Sequence, residues 1–157
     1  MPAARRRPAR RIGITGLGMH VPSKVLTNRD LEKTVDTSDD WIRTRTGIEE
    51  RRIAPPGTTT SDLAFAAAQQ ALKQARLKPQ DIELIIVATT TPDMLFPSTA
   101  CLVQQRLGAT QAVCFDLSAA CSGSVFAMIT AQQYLLTGRY RNALVIGAEV
   151  LSSFIDW

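Results

Sequence analysis

One cysteine of the sequence stands where a nucleophile could react. Residues 116–123 read DLSAACSG, so Cys121 follows a strand-like apolar run and a turn of small residues, and precedes a helical segment. The first N–H groups of a helix are unpaired and carry partial positive charge, which favours a thiolate. A strand-to-helix elbow of small residues also leaves room for a substrate and supplies a backbone N–H for an oxyanion. The pattern predicts a reactive thiol at Cys121, with an inert packing cysteine as the alternative.

The remaining cysteines and the histidine are interpreted as structural residues. Cys101 falls within a predicted helix and Cys114 in the middle of a predicted strand, so both are expected in the core. Three cysteines without CxxC or zinc spacing indicate reduced thiols in the cytoplasm, with neither a disulfide framework nor a metal site. The one histidine, His20, lies near the first predicted strand and is expected to be structural or at the surface.

Composition restricts the class of protein. The chain has 157 residues, of which 45% are apolar and 20% charged, which predicts a soluble globular domain with its own core. No apolar run approaches the roughly 18 residues of a membrane span. The net charge of +4 arises from five arginines within residues 1–11, because residues 12–157 carry 13 bases against 14 acids. Residues 1–11 are predicted to be a disordered basic leader, and the body is expected to bind neither nucleic acid nor membrane.

Strands and helices alternate along the predicted body. Continuous β-branched apolar runs such as LIIVA indicate strands buried on both faces, as in a parallel sheet. Short connections imply right-handed crossovers, and so an α/β fold with a mostly parallel sheet and helices on both faces. Asn28 is expected to cap the first helix. The predicted strands are 12–21, 49–53, the LIIVA run of 81–91, 112–117 and 143–150, and the predicted helices are 28–35, 61–77, 97–108 and 121–137.

Three segments together resemble one family. Residues 36–52 read DTSDDWIRTRTGIEERR, residues 87–93 read VATTTPD with FPSTA at 96–100, and residues 116–123 read DLSAACSG. In this order they are similar to β-ketoacyl-[acyl carrier protein] synthase III of the thiolase-like superfamily. The resemblance implies that residues 12–157 form the N-terminal half of a duplicated, layered thiolase-like fold. The end of the chain just after a strand likewise predicts a unit truncated before its second half.

The resemblance also implies a reaction. Cys121 would take an acyl group from acyl-CoA, with acetyl-CoA as the expected primer, and malonyl-[acyl carrier protein] would then condense with it by decarboxylation to initiate fatty-acid synthesis. The implied enzyme is a cytoplasmic homodimeric acyltransferase without a cofactor. The family's catalytic histidine and asparagine belong to its second half, so this chain is not expected to be fully active. Two alternatives stay open: an acyltransferase or polyketide starter enzyme with another acceptor, and a non-catalytic fragment or interaction module.

Further site residues follow from the same resemblance. Trp41 matches the residue that stacks on the CoA adenine, Arg45 a contact to the nucleotide and phosphate, and Thr37 a neighbouring polar contact. Phe96 matches a residue that reaches the dimer partner's acyl pocket and limits its size, with a core aromatic as the alternative. Ser124 departs from the family, which commonly has an aromatic residue after the CxG triplet, so the acyl-chain preference is left open.

Overall fold

The structure is a computed structural model that describes residues 10–155. Most of the predicted basic leader, residues 1–9, lies outside the described residues, so its disorder stays a prediction. Arg10 is described, and its guanidinium donates hydrogen bonds to the carbonyls of Leu135 and Tyr140 at 3.2 and 3.3 Å. Within residues 10–155, no helix combines the length and the apolar character that crossing a bilayer requires.

The predicted strand Ile12–Val21 is wrong, because this segment has no regular secondary structure. Its backbone donors are used in another way. The N–H groups of Leu17 and Met19 donate to the side-chain oxygens of Gln74 and Gln70, respectively, and the second of these bonds is 3.3 Å long. A strand needs those donors for a ladder with another strand, whereas here they are satisfied by glutamine side chains of a helix.

A small antiparallel sheet follows this segment. Strand β1 (Lys24–Thr27) pairs with β2 (Glu50–Ile53), with Lys24 opposite Ile53 and Thr27 opposite Glu50. The strand predicted at 49–53 is thereby confirmed. Between the two strands lie helix α1 (Asn28–Leu31) and helix α2 (Asp39–Thr46).

Helix α1 is a single turn and is capped by Thr27, so the expected helix 28–35 was too long and its expected cap was wrong. The Thr27 hydroxyl accepts from the Asp30 N–H at 3.2 Å, and the Asp30 carboxylate accepts from the Thr27 N–H at 3.2 Å. Asn28 is instead buried. Its side-chain nitrogen donates to the Asp39 carboxylate and the Ile48 carbonyl, both at 2.7 Å, which ties α1 to α2.

The main sheet has three parallel strands in the order β4-β3-β5. Strand β3 (Leu84–Ala88) is the LIIVA run, β4 is Val113–Leu117 and β5 is Ala143–Gly147. The predicted parallel α/β sheet is confirmed. All five residues of β3 are buried, as expected of a central strand. Among the described residues β4 is an edge strand, so Val113, expected to be buried, is half exposed.

Three helices cover the two faces of this sheet. Helices α3 (Thr60–Ala75) and α4 (Thr99–Leu107) pack on the face that carries Ile85 and Val87, and helix α5 (Gly123–Leu136) packs on the face that carries Leu84 and Ile86. Since β4 and β5 flank β3 on opposite sides, the connections β3 to β4 and β4 to β5 run in opposite directions. Right-handed crossovers then place α4 and α5 on opposite faces.

Capping residues explain where the long helices begin and end. Thr59 and Asp62 form a capping box at the start of α3, and Ser98 caps α4, whose C-terminus is closed by Gly108 at φ 73°. A left-handed φ favours glycine. The prediction that Gly108 ends α4 is therefore confirmed, and the backbone conformation explains why a glycine is found there. The helix predicted over 121–137 is α5, which begins at Gly123, two residues later than predicted.

Candidate active site at the carboxyl edge of the parallel sheet

The carboxyl ends of the three parallel strands lie at one level. Ala88 of β3 is in register with Leu117 of β4 and Gly147 of β5. Ligands of open α/β sheets bind at this edge, between strands whose following connections leave toward opposite faces. Here β3 leads to α4 on one face and β4 leads to α5 on the other, so the ligand crevice expected from this topology lies beside the segment that carries Cys121.

Cys121 occupies a strained turn between β4 and α5. Residues Ala120–Ser122 form one turn of 3-10 helix, and α5 begins after it at Gly123. The expectation that the helix begins at Cys121 is therefore corrected by two residues. Ala120 has φ 46°, a left-handed conformation that is unfavourable for a residue with a Cβ. The Cys121 side chain is exposed, so the elbow presents its thiol to solvent.

Gly123 allows this turn to lie against the end of β3. A Cβ at Gly123 would stand 3.2 Å from the Cβ of Ala88, closer than ordinary van der Waals contact. The glycine is itself buried. A side chain here would therefore require Ala88 or the first turn of α5 to shift by a few tenths of an ångström.

Glu149 joins the loop after β5 to the loop after β3. Its carboxylate accepts from the Thr90 N–H at 2.9 Å, from the Thr90 hydroxyl at 3.1 Å and from the Thr91 hydroxyl at 2.7 Å. The Thr91 hydroxyl oxygen in turn accepts from the Val150 N–H at 3.0 Å. The sequence-based prediction did not include Glu149. A single acid near the end of the apolar run 143–150, with a threonine run after another strand, was the available signal.

Asp116 joins β4 to the first turn of α4 and was also missed. Its two carboxylate oxygens accept from the Thr99 and Ala100 N–H groups, both at 2.7 Å. These are unpaired donors at a helix N-terminus, where a carboxylate is favoured by both hydrogen bonding and the helix dipole. The contact holds the segment that enters α4 against the strand that leads to Cys121.

Phe96 lies just before α4 and projects into solvent. Its side chain is 88% exposed, and its bond to Pro97 is cis. The alternative interpretation of Phe96 as a core aromatic is therefore wrong. An exposed phenylalanine beside the crevice is compatible with a contact to another molecule, but within residues 10–155 it fills no core position.

A second group of predicted site residues lies on α2. The Arg45 guanidinium carbon is 4.6 Å from the centroid of the Trp41 ring, a cation–π geometry, and the Trp41 side chain is 51% exposed. Thr37 is partly buried and precedes the N-cap Ser38, whose hydroxyl accepts from the Trp41 N–H at 3.1 Å. The structure thus brings Trp41 and Arg45 together on an exposed face, on a different element from Cys121.

One groove of the described residues does not contain Cys121. Its volume is about 490 Å³, and it lies between the segment 12–18, helix α3, helix α5 and strand β5. Ser124 is its lining residue nearest in sequence to the Cys121 turn. The strained elbow and its place at the sheet edge, rather than this groove, therefore define the candidate active site. His20 is exposed, as expected of a surface residue.

Comparison with known proteins matches both the sequence and the fold. A sequence model described as 3-oxoacyl-[acyl-carrier-protein (ACP)] synthase III matches residues 115–157, which include the Cys121 turn. The β-ketoacyl-[acyl-carrier-protein] synthase III of Caldanaerobacter subterraneus subsp. tengcongensis is 61% identical over 145 residues, covering 92% of this chain and 44% of that protein. The crystal structure of 3-oxoacyl-[acyl-carrier-protein] synthase III from Aquifex aeolicus VF5 superposes with a TM-score of 0.88 at 54% identity, covering 92% of this chain and 46% of that one.

The chain belongs to the β-ketoacyl-[acyl-carrier-protein] synthase III family. It corresponds to the N-terminal half and spans 44% to 47% of the length of the curated relatives it matches. The resemblance based on three motifs is confirmed, as is the thiolase-like α/β fold with a parallel sheet. The crystal structure of the priming β-ketosynthase from the R1128 polyketide biosynthetic pathway is also similar, with a TM-score of 0.90 and 35% identity over 99% of this chain and 46% of that one.

The donor set of the described residues does not favour a metal. Within residues 10–155, no group of three histidine, cysteine, aspartate or glutamate side chains converges on one point. The two acids near the crevice, Asp116 and Glu149, are each engaged by neighbouring N–H or hydroxyl donors.

Proposed function

We propose that the protein carrying this chain takes an acyl group from acyl-CoA onto Cys121 and condenses it with malonyl-[acyl carrier protein] to initiate fatty-acid synthesis. The observation that carries the proposal is the exposed Cys121 in a turn strained at Ala120, at the carboxyl edge of the sheet. Relatives named β-ketoacyl-[acyl-carrier-protein] synthase III support the choice of thioester chemistry.

The acylation step uses the groups of the elbow. The Cys121 sulfur attacks the thioester carbonyl, the carbon–sulfur bond to CoA breaks, and the CoA thiol leaves with the proton of the cysteine. A thiol is the side chain best suited to thioester exchange near neutral pH. We assign the stabilisation of the oxyanion formed in the transition state to the backbone N–H of Cys121, as at other strand-to-helix elbows.

The condensation step needs groups beyond those of this chain. Decarboxylation of malonyl-[acyl carrier protein] generates a carbanion that attacks the Cys121 thioester, giving CO2 and a β-ketoacyl product. The family's histidine and asparagine for this step belong to the half that the chain does not span. The chain's one histidine, His20, lies in the N-terminal segment. We therefore expect Cys121 acylation from the chain and full turnover only from the whole protein.

Trp41 and Arg45, called the α2 pair below, suit the nucleotide end of CoA. An exposed indole face accepts the adenine by stacking, and a guanidinium matches phosphate oxygens. Arg45 already covers one face of the Trp41 ring. Adenine therefore stacks on the opposite face or displaces Arg45 toward the phosphate, with Thr37 as a neighbouring polar contact. Acyl-CoA would then act as a substrate, and no cofactor is required.

The remaining expectations concern the binding partners of the protein and its cellular compartment. The family resemblance implies a homodimer in which Phe96 reaches the partner's acyl pocket and limits its size, and its side chain is exposed in this half of the protein. Malonyl-[acyl carrier protein] is the second substrate, and the cytoplasm is the compartment in which free thiols and this carrier are found. Size-exclusion chromatography of the whole protein tests the dimer. Comparing the activity of Phe96→Ala and wild type on acyl-CoA of different chain lengths tests whether Phe96 limits the size of the acyl pocket.

Mass spectrometry after incubation with acetyl-CoA tests the central proposal. The wild-type chain should gain one acetyl group that is removed by hydroxylamine, and Cys121→Ser should gain none as a thioester. Cys101→Ser and Cys114→Ser are matched controls and should behave as wild type. The proposal is wrong if the adduct survives in Cys121→Ser, or if the whole wild-type protein acquires none. The second outcome would support a non-catalytic interaction module.

A second candidate keeps the acyl-cysteine and changes the acceptor. The likeness to the priming β-ketosynthase of a polyketide pathway covers 99% of this chain, which favours a starter enzyme or a related acyltransferase. Ser124, where the family commonly has an aromatic residue, favours a different acyl pocket. The rates of the whole protein are measured with acetyl-CoA and with longer or branched acyl-CoA. Each acyl donor is paired either with malonyl-carrier protein or with a hydroxyl acceptor, and the preferred pair separates the two candidates.

A further inference from the structure

Cys101 and Cys114, which were both expected in the core, lie in contact with each other. Their sulfur atoms are 3.3 Å apart, and both side chains are only partly buried. Cys101 lies in the first turn of α4 and Cys114 is the second residue of β4. A disulfide bond is about 2.05 Å long, so the two sulfurs need to approach by about 1.3 Å to form one.

The surroundings give the two thiols different roles. The Ser98 hydroxyl donates to the Cys101 sulfur at 3.2 Å, and Cys101 lies in the first turn of α4. Cys114 instead donates to the side-chain oxygen of Gln104 at 3.5 Å. Burial, followed by the neighbouring Cys101, raises the pKa of Cys114 to about 12. Cys101 is therefore the sulfur that attacks first, and Cys114 is the sulfur that resolves.

We propose that Cys101 and Cys114 form a reversible dithiol–disulfide site that is oxidised by a low-molecular-weight disulfide such as glutathione disulfide. The Cys101 thiolate attacks one sulfur of the reagent, the reagent's sulfur–sulfur bond breaks, and one thiol leaves. Cys114 then attacks the Cys101 sulfur, loses its proton to solvent and releases the second thiol. Two protein thiols are oxidised, and one small disulfide is reduced to two thiols.

The bond would join the same two elements that Asp116 already joins. Asp116 lies two residues after Cys114 and accepts from Thr99 and Ala100, the two residues before Cys101. Because this clamp holds α4 against β4, the sulfurs stay close while the mixed disulfide resolves. Oxidation would therefore fix the entry to α4 on the strand that leads to Cys121. This inference does not depend on the proposed condensation reaction.

Peptide mapping after oxidation tests the proposal. The full chain is incubated with glutathione disulfide, trapped with an alkylating reagent and digested with proteases that cut after Arg106 and Phe115, which separates all three cysteines. We expect a cross-linked pair of peptides containing Cys101 and Cys114, a higher melting temperature than the reduced chain, and reversal of both by dithiothreitol. The Cys121→Ser chain should give the same cross-link.

The variants Cys101→Ser and Cys114→Ser separate the two roles. Cys114→Ser should accumulate a stable glutathione adduct on Cys101, because nothing resolves it, whereas Cys101→Ser should leave Cys114 unmodified. Glutathione held on Cys101 of the wild-type chain without a cross-link would overturn the proposal, as would a cross-link to Cys121 in its place. Since the wild-type peptide map is read first, a variant that fails to fold does not remove the test.

Discussion

The α2 pair and the carboxyl edge of the main sheet are built in different ways. Trp41 and Arg45 are four residues apart on one helix, a spacing that places side chains on one face wherever that helix forms. At the sheet edge, Glu149 contacts Thr90 across 59 residues of sequence, and the Cys121 turn follows a third strand. A local change should therefore disturb α2 alone, whereas a change in the sheet should disturb every group at its edge.

A cavity in the central strand should have the largest effect and should separate the two regions. Ile86→Ala removes a fully buried side chain between β3 and α5, and we expect a loss of about 2–5 kcal/mol in the free energy of unfolding, measured with urea. Ile86→Val is the matched control and should lose about 0.5–1.5 kcal/mol. An Ile86→Ala chain as stable as wild type would show that packing of the central strand does not stabilise the carboxyl edge of the main sheet.

Removal of the Asp116 carboxylate should have the next largest effect. Asp116→Ala leaves two N–H groups of α4 without their acceptor, at an expected loss of about 1.5–3 kcal/mol in unfolding free energy. Asp116→Asn keeps one acceptor oxygen and should lose less. Urea unfolding of both variants measures the difference, and equal stability of the two would contradict the proposed role of the paired oxygens.

The α3 cap should contribute about 1 kcal/mol of unfolding free energy. Thr59→Ala removes the hydroxyl that accepts from the Asp62 N–H, and Thr59→Ser retains one. Helix α3 also supports the edge, since the Thr60 hydroxyl bonds to Thr91. Thermal unfolding of the two variants should rank serine above alanine. The reverse order would mean that the cap is formed by water.

The same cap predicts a pH dependence. The backbone N–H of Thr59, followed by the Thr59 hydroxyl and Arg106, holds the pKa of Asp62 below its ordinary value of 3.8, against an opposing contribution from burial. A carboxyl whose pKa is lower in the folded state stabilises the fold above pH 3.8 and loses that contribution as the pH falls through the folded pKa. The stability gap between wild type and Asp62→Asn should therefore narrow on acidification below pH 3.8. A gap independent of pH would contradict this assignment.

The smallest effect is expected on α2. Arg45→Ala should change the free energy of unfolding by no more than about 0.5–1 kcal/mol, because its contact with Trp41 is exposed. Arg45→Lys is the control that keeps the charge. Under the proposed function, however, Arg45→Ala should weaken acetyl-CoA binding, measured by isothermal titration calorimetry, without changing the melting temperature noticeably. Weaker binding together with a lower melting temperature would indicate a structural role instead.

Regular elements with local signals could be predicted from the sequence. The LIIVA run is a buried central strand, Ser98 and Gly108 bound α4, and the parallel α/β sheet follows from alternation. The segment Ile12–Val21 had the same apolar character but is not a strand. Its donors bind Gln70 and Gln74, which no periodicity could reveal. The predicted cap of α1 was wrong for a similar reason, because Asn28 is used in a buried contact between helices.

By itself the sequence determined the chemistry of single positions: a cysteine after a strand, and the serine and glycine that begin and end α4. These follow from short-range geometry, which depends only on neighbouring residues. The helix that places Trp41 and Arg45 one turn apart was not predicted. Only the tertiary structure decided that Asp116 binds the start of α4, that Glu149 binds the threonines after β3, and that Cys101 touches Cys114. Strand order, and with it every contact between distant segments, is set by packing the whole sheet against its helices.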